Sequence, residues 1–250
     1  MTMATVTENQ PARPARRNTE PFGGAAIMAW LAISVTLIGF WNTFFAILPD
    51  VDLAHQLHGW TATGWLVLVL VQATLIRSHQ YKLHRVLGWS SLVLFTLLLV
   101  SAWRMLAIML SGNSHIPVPF DFAKLFALSD VTAVPLMIIA YGAAVVLRKD
   151  RHVHSRLISV TLLAGLLPAI ARMFNLVFTG PEGLIFAMHP SYLFVLGVLA
   201  VAMFVDWRKG LLRWPFPFAF VWFVVAYATF FPSWHSAWFD AVAKGIAATY

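Results

Sequence analysis

Leu83-His84-Arg85-Val86-Leu87 begins an apolar run that continues to Arg104, and Val153-His154-Ser155-Arg156-Leu157 begins a second run that continues to Arg172. About 20 apolar residues of helix cross the hydrocarbon of a bilayer, and both runs reach that length. Each run therefore predicts a transmembrane helix with a histidine at its start and an arginine towards its far end. Because ionisable side chains are costly at membrane depth, these residues are the first functional candidates.

The composition also indicates a membrane protein. The 250 residues are 60% hydrophobic and only 11% charged, whereas a soluble domain has about a quarter of its residues charged. The absence of cysteine excludes disulfides, thiolate metal sites and cysteine nucleophiles. The net charge of +7 does not indicate a nucleic-acid partner, because the basic residues cluster in short loops between apolar runs.

The apolar runs divide the chain into a tail, a membrane domain and a short final segment. Residues 1–22 are polar, basic and rich in proline, which predicts a disordered tail. Residues 23–232 form the membrane domain, and residues 233–250, with Trp234 and Trp238, predict an amphipathic helix at the membrane surface. The predicted fold class is all-α, with seven transmembrane helices at about 24–48, 58–76, 86–110, 122–147, 155–179, 186–205 and 215–232.

The distribution of lysine and arginine predicts the orientation of these helices. Cytoplasmic loops of membrane proteins carry an excess of positive charge. The loops and tail of the other side carry only Lys124 and Lys244. We therefore predict a cytoplasmic N-terminus and an external C-terminus in a bacterial cytoplasmic membrane. The cytoplasmic side would carry Arg13, Arg16, Arg17, Arg77, Lys82, Arg85, Arg148, Lys149, Arg151, Arg156, Arg208, Lys209 and Arg213.

Two histidines open helices at the same predicted membrane level. His84 begins the third helix and His154 begins the fifth, so the pair could provide the axial ligands of a b-type haem. Arg85 and Arg156 follow them and could neutralise the haem propionates. The alternative is that histidines at helix ends lie among lipid headgroups beside lysine and arginine, with no ligand.

A second group of polar residues lies towards the external side. Arg104, Asp130 and Arg172 are predicted at roughly 9–12 Å below that surface, from the helical rise per residue. We expect Asp130 to pair with Arg104 or Arg172, because an unpaired charge at this depth is costly. The remaining positive charge, with His58 at the start of the second helix, could bind a quinone carbonyl, a haem propionate or a small anion. The alternative is a purely structural Arg–Asp–Arg bridge.

The segment from His58 to Met173 resembles a bacterial family of predicted membrane proteins of unknown function. The resemblance is carried by a histidine that opens one helix, by the motif His-Arg-x-x-Gly at 84–88, and by a later helix with His-x-Arg at 154–156 and Arg172. This four-helix core, residues 58–179, is in turn similar to the two-haem b-type cytochromes and the ferric reductases. There, one histidine on each of four consecutive helices provides two bis-histidine haems. Here the fourth helix lacks a histidine, so the resemblance implies one haem, on His84 and His154.

The leading interpretation is therefore a membrane protein that binds one haem b and exchanges electrons with a quinone or another small acceptor. The lipid bilayer is its other predicted partner. The alternative is a small transporter without redox chemistry, or an accessory membrane subunit, with a pocket centred on Arg104, Asp130 and Arg172. A third interpretation is purely structural, in which the charged residues only hold the bundle together.

Overall fold

The computed structural model describes residues 24–115, 118–178 and 181–250, and the predicted tail of residues 1–22 lies outside this part of the chain. The described residues fold into helices and contain no β-strand. After α1, a π-helical turn (Trp41–Phe45) and a 3-10 turn (Leu48–Asp50) lead into α2. The α-helices are α1 (Ala25–Phe40), α2 (Leu53–Arg77), α3 (Tyr81–Leu110), α4 (Phe120–Val146), α5 (Arg151–Ala164), α6 (Leu167–Asn175), α7 (Pro181–Arg208), α8 (Pro215–Trp234) and α9 (Ala237–Ala247).

Six helices in the described part of the chain are long and apolar enough to cross a membrane, namely α1 with its π-helical turn, α2, α3, α4, α7 and α8. The number becomes seven when α5 and α6, which meet at an angle of 42°, are counted as one bent span. The sequence predicted this span as one helix, 155–179. The helix breaks because Pro168 has no backbone N–H and cannot continue the hydrogen bonding of α5.

The α5–α6 pair lies at the centre of the bundle. Around the bend, side chains such as Leu163 and Ile170 are completely buried, and α1, α4, α7 and α8 pack against one or both of the two helices. Large apolar side chains on α1 and α3, such as Trp30 and Trp89, point outwards instead. An apolar exterior of this kind suits contact with the lipid bilayer.

The two ends of the bundle differ in charge. One end carries the α2–α3 and α4–α5 turns, with Arg77, Arg85, Arg148 and Arg151 around one cavity. We call it the basic end. At the opposite end, the α1–α2 and α3–α4 connections meet, because the His115 amide donates a hydrogen bond to Asp52. The grouping of positive charge at one end is the pattern that predicts a cytoplasmic side, and the orientation itself stays a prediction.

The final segment forms the helix α9, which packs on α3 and α4 at the opposite end. The Ser236 hydroxyl caps its first turn, and Phe239, Ala243 and Ile246 are buried against the bundle. Trp238 remains exposed. The sequence predicted an amphipathic segment within 233–250, and α9 carries one buried and one exposed aromatic residue. Its location in the membrane interface stays a prediction.

Candidate functional site

A cavity of about 810 Å³ opens at the basic end of the bundle. Helices α2, α3, α4 and α5 provide most of its walls, and α3 and α5 barely touch each other across it. Residues Leu68, Val69, Ala73 and Ile76 of α2 form an apolar wall. The volume falls within the range of about 300–1,000 Å³ that is typical of sites for small molecules and cofactors.

His84 of α3 and His154 of α5 both line this basic-end cavity. Nδ1 of His154 lies 2.8 Å from the Ala144 carbonyl oxygen. Because a carbonyl can only accept a hydrogen bond, Nδ1 carries the ring proton and Nε2 keeps a free lone pair. A histidine oriented by a backbone carbonyl in this way is the usual arrangement of a metal ligand.

The start of α5, which positions His154, is fixed by a side-chain cap. The Asp150 carboxylate accepts hydrogen bonds from the amides of His152, at 2.9 Å, and Val153, at 3.1 Å. The hydrogen bond from the Val153 amide, followed by that from His152, holds the pKa of Asp150 below its usual range. An ionised aspartate at this position also interacts favourably with the helix dipole, so the first turn of α5 is well anchored.

Two polar atoms on the cavity wall have no partner among the described residues. They are Nδ1 of His84 and Oε1 of Gln72, and both are buried. A buried polar atom without a hydrogen bond costs about 1–3 kcal/mol. These two atoms therefore mark the part of the wall where a bound ligand or water would supply the missing interactions.

The structure places the two arginines that were predicted beside the haem in different surroundings. Arg85 lies on the cavity rim with Arg77, Arg148 and Arg151. Arg156 is only 1% exposed and does not line the cavity. Its guanidinium is bound to the Asp206 carboxylate, with Nε–Oδ2 and Nη2–Oδ1 distances of 2.5 and 2.7 Å. Arg156 is therefore unavailable to a ligand in the cavity, and its predicted role at haem propionates is corrected to an ion pair between α5 and α7.

A second cavity, of about 370 Å³, lies towards the opposite end. His58, Asp130 and Arg172, which the sequence predicted in one pocket, all line it. The guanidinium of Arg172 lies 4.6 Å from the ring centres of both Phe40 and Phe126. Cation–π contacts of this kind hold the side chain in place. Among the described residues, Arg172 makes no direct ion pair with a carboxylate, although it interacts electrostatically with Asp130.

The predicted Arg104–Asp130–Arg172 bridge is not formed. Arg104 is exposed and does not line the second cavity, and its guanidinium lies 5.8 Å from the Tyr250 ring. Asp130 makes no direct ion pair with either arginine in the described structure, although it interacts electrostatically with Arg172. The helix rotation of α3 and the return of α9 onto α3 explain the difference, because they direct Arg104 outwards.

Trp65 forms part of the wall of both cavities. Its ring packs against Phe95 and Tyr141, at centroid distances of 5.1 and 5.2 Å. Its indole Nε1 also donates a hydrogen bond of 3.3 Å to Thr161 Oγ1. A buried aromatic residue held from several sides in this way separates the two cavities.

The sequence interpretation missed a cluster of Asp52, His55 and His115 at the opposite end. In the structure, Asp52 Oδ2 lies 2.8 Å from Nδ1 of both histidines. Although burial raises the pKa of Asp52, the hydrogen bonds from His55 and His115 hold it well below its usual range. The available signal was the spacing of Asp52 and His55, because a helix cap and the residue three positions later lie next to each other.

Comparisons of the chain with protein-family models, with curated proteins and with solved structures found no match. The chain is all-α, and its described part has six long apolar helices, or seven with the bent pair. The resemblance of residues 58–179 to a cytochrome-like family stays a prediction. The two cavities and their residues are the features of the chain that point to a function.

Proposed function

We propose that the protein binds one b-type haem in the basic-end cavity, where His84 and His154 would hold the iron. The observation that carries this proposal is that two histidines from different helices line one cavity of suitable volume between helices that barely touch. A haem held by two imidazoles would lie between the helices that carry them. Both α3 and α5 line this cavity, and they barely touch each other.

The residues of the cavity fit this group. His154 has a fixed tautomer with a free Nε2, and His84 has a buried ring nitrogen without a partner. Arg85, Arg148 and Arg151 on the rim would bind the propionates by charge-assisted hydrogen bonds. When bound, a haem supplies one-electron redox chemistry. The apolar wall of α2 would limit the access of water.

The proposal includes one haem and one small redox partner. Helix α4 contains no histidine that could complete a second pair with His58. The second cavity, with His58, Asp130 and Arg172, is instead proposed to receive a quinone or another small acceptor, whose carbonyl the Arg172 guanidinium could bind. By the positive-inside rule, the basic end would face the cytoplasm of a bacterial cell.

The test is a dithionite-reduced minus air-oxidised absorption spectrum of the detergent-solubilised protein, purified from cells with ample haem. We expect a sharp α-band of a b-type haem, and its loss in both His84→Ala and His154→Ala. His235→Ala is the matched control, because His235 is exposed at the opposite end beside Trp234 and should leave the band unchanged. A flat wild-type spectrum, or a band that survives both substitutions, would refute the proposal.

A second candidate function is the passage of a small polar solute, and the observation that favours it is the shared wall at Trp65. Two cavities towards opposite ends with one aromatic residue between them resemble a closed pathway. In proteoliposomes, we expect glycerol entry, followed by light scattering, to exceed that of protein-free vesicles. The rate should rise severalfold in Trp65→Leu and stay unchanged in Trp30→Leu, a substitution of an exposed tryptophan on α1. Equal rates in all four samples would exclude this function.

A further inference from the structure

Three potential metal ligands come together at the opposite end of the bundle, in a cluster formed by Asp52, His55 and His115. One carboxylate oxygen and one nitrogen from each imidazole all lie within 4.8 Å of one another. The two rings meet edge to face with a centroid distance of 4.9 Å. All three residues are partly buried rather than exposed, and the two histidines also line the second cavity.

Two separate segments of the backbone fix this cluster at the same end of the bundle. Asp52 caps α2 and accepts a hydrogen bond of 3.0 Å from the His55 amide. The same carboxylate accepts a hydrogen bond of 3.1 Å from the amide of His115, which lies 63 residues later in the connection after α3. Because the ligands come from two separate segments, the cluster is preorganised by the fold and not by sequence spacing alone.

We infer that this cluster is a binding site for a divalent transition metal ion, with Zn²⁺ as the best match. Zinc prefers nitrogen ligands of histidine and oxygen ligands of carboxylates, at about 2.0–2.2 Å in tetrahedral geometry. The ion binds Asp52 Oδ2 and the Nδ1 atoms of His55 and His115, and each neutral imidazole then carries its single proton on Nε2. The ligand atoms separate from 2.8 Å to about 3.3 Å, the edge of a tetrahedron with such bonds.

A further histidine of α2 lies near this cluster. His58 lies one turn after His55 on the same face of α2, and it lines the same cavity. Its Nδ1 is buried and has no hydrogen-bond partner among the described residues. His58 lies outside the group of ligand atoms that approach one another within 4.8 Å, so a water in the cavity completes the coordination of the ion, and His58 is the candidate hydrogen-bond partner of that water. This site is separate from the basic-end cavity and does not depend on haem binding.

The experiment is a calorimetric titration of Zn²⁺ into tag-free, chelator-treated protein in detergent. We expect wild-type protein to bind the ion, and the Kd to rise at least tenfold in His55→Gln, His115→Gln and Asp52→Asn. Asparagine is as good a helix cap as aspartate, so Asp52→Asn should fold normally. Unfolding temperatures measured in chelator would verify that each variant is folded.

One control separates this site from other histidines. His235→Gln removes an exposed histidine at the same end. Zinc affinity at the cluster should be unchanged in this variant. An absence of zinc binding by wild-type protein, or equal Kd values in the wild type and the three cluster variants, would overturn the inference. The cluster would then only hold the α1–α2 and α3–α4 connections together. Because the readout is zinc binding, its failure is distinguishable from a failure of the haem proposal.

Discussion

Replacing Asp206 with alanine should lower the free energy of unfolding by about 3–5 kcal/mol, the usual cost of breaking a buried ion pair by removing one partner. The Arg156 and Asp206 side chains are only 1% and 0% exposed. The guanidinium also donates hydrogen bonds to the carbonyl oxygens of His152, at 2.7 Å, and Leu211, at 3.1 Å. Without Asp206, the cation would stay buried with two neutral carbonyls, which cannot balance its charge. Thermal unfolding in detergent, followed by circular dichroism, would measure the loss.

The double variant Arg156→Leu with Asp206→Leu provides the decisive control for this prediction. Replacing both members of a buried pair with apolar residues of similar size is often neutral, so the double variant should recover most of the stability that Asp206→Ala loses. Asp121→Ala is the surface comparison, because Asp121 is exposed and its ion pair with Lys124 should contribute less than about 1 kcal/mol. A double variant as unstable as Asp206→Ala would show that the lost stability comes from packing and not from the unpaired charge.

The Arg156–Asp206 pair also shows which part of the fold a sequence can predict. Runs of apolar residues determine where helices lie, and the described helices fall within the predicted runs or extend them by a few residues. Arg156 lies two residues after His154, so the sequence predicted both at one membrane level. For this reason Arg156 was expected beside the same haem. Its actual partner lies 50 residues later, on α7. Helix rotation decides which way a side chain points, and packing sets that rotation.

The same limit applies to both candidate sites. His84 and His154 were expected at one level from the starts of their helices, and the structure brings them to one cavity. Asp52 and His115 were not expected together, because a contact between two connections 63 residues apart leaves no periodic signal in the sequence. Arg104 was assigned by depth alone, and α9 folds back so that Tyr250 lies near it. The position of a residue along its helix is readable from the sequence, whereas the direction of its side chain is not.

The crossing of α1 and α6 should be sensitive to the addition of a single methyl group. A Cβ atom on Gly39 would lie 2.1 Å from the Ala169 carbonyl oxygen and 2.8 Å from the carbonyl carbon. Both atoms belong to the backbone of α6, so they cannot turn aside as a flexible side chain would. Small residues at such crossings allow transmembrane helices to approach closely. Alanine at this position would therefore force α1 and α6 apart.

For Gly39→Ala we expect a loss of about 1–3 kcal/mol in the free energy of unfolding, the usual cost of overpacking a core. Gly142→Ala and Gly197→Ala are matched controls, since both glycines are helical and a Cβ there meets no atom within 4 Å. Alanine favours helix over glycine by about 1 kcal/mol, so these two variants should be neutral or stabilised. Equal unfolding temperatures for all three variants would mean that α1 and α6 do not cross closely.

Arg172 lies one turn after Ala169 on α6 and lines the second cavity. A shift of α6 would therefore also move this cation, and ligand binding in the second cavity should weaken in Gly39→Ala alone.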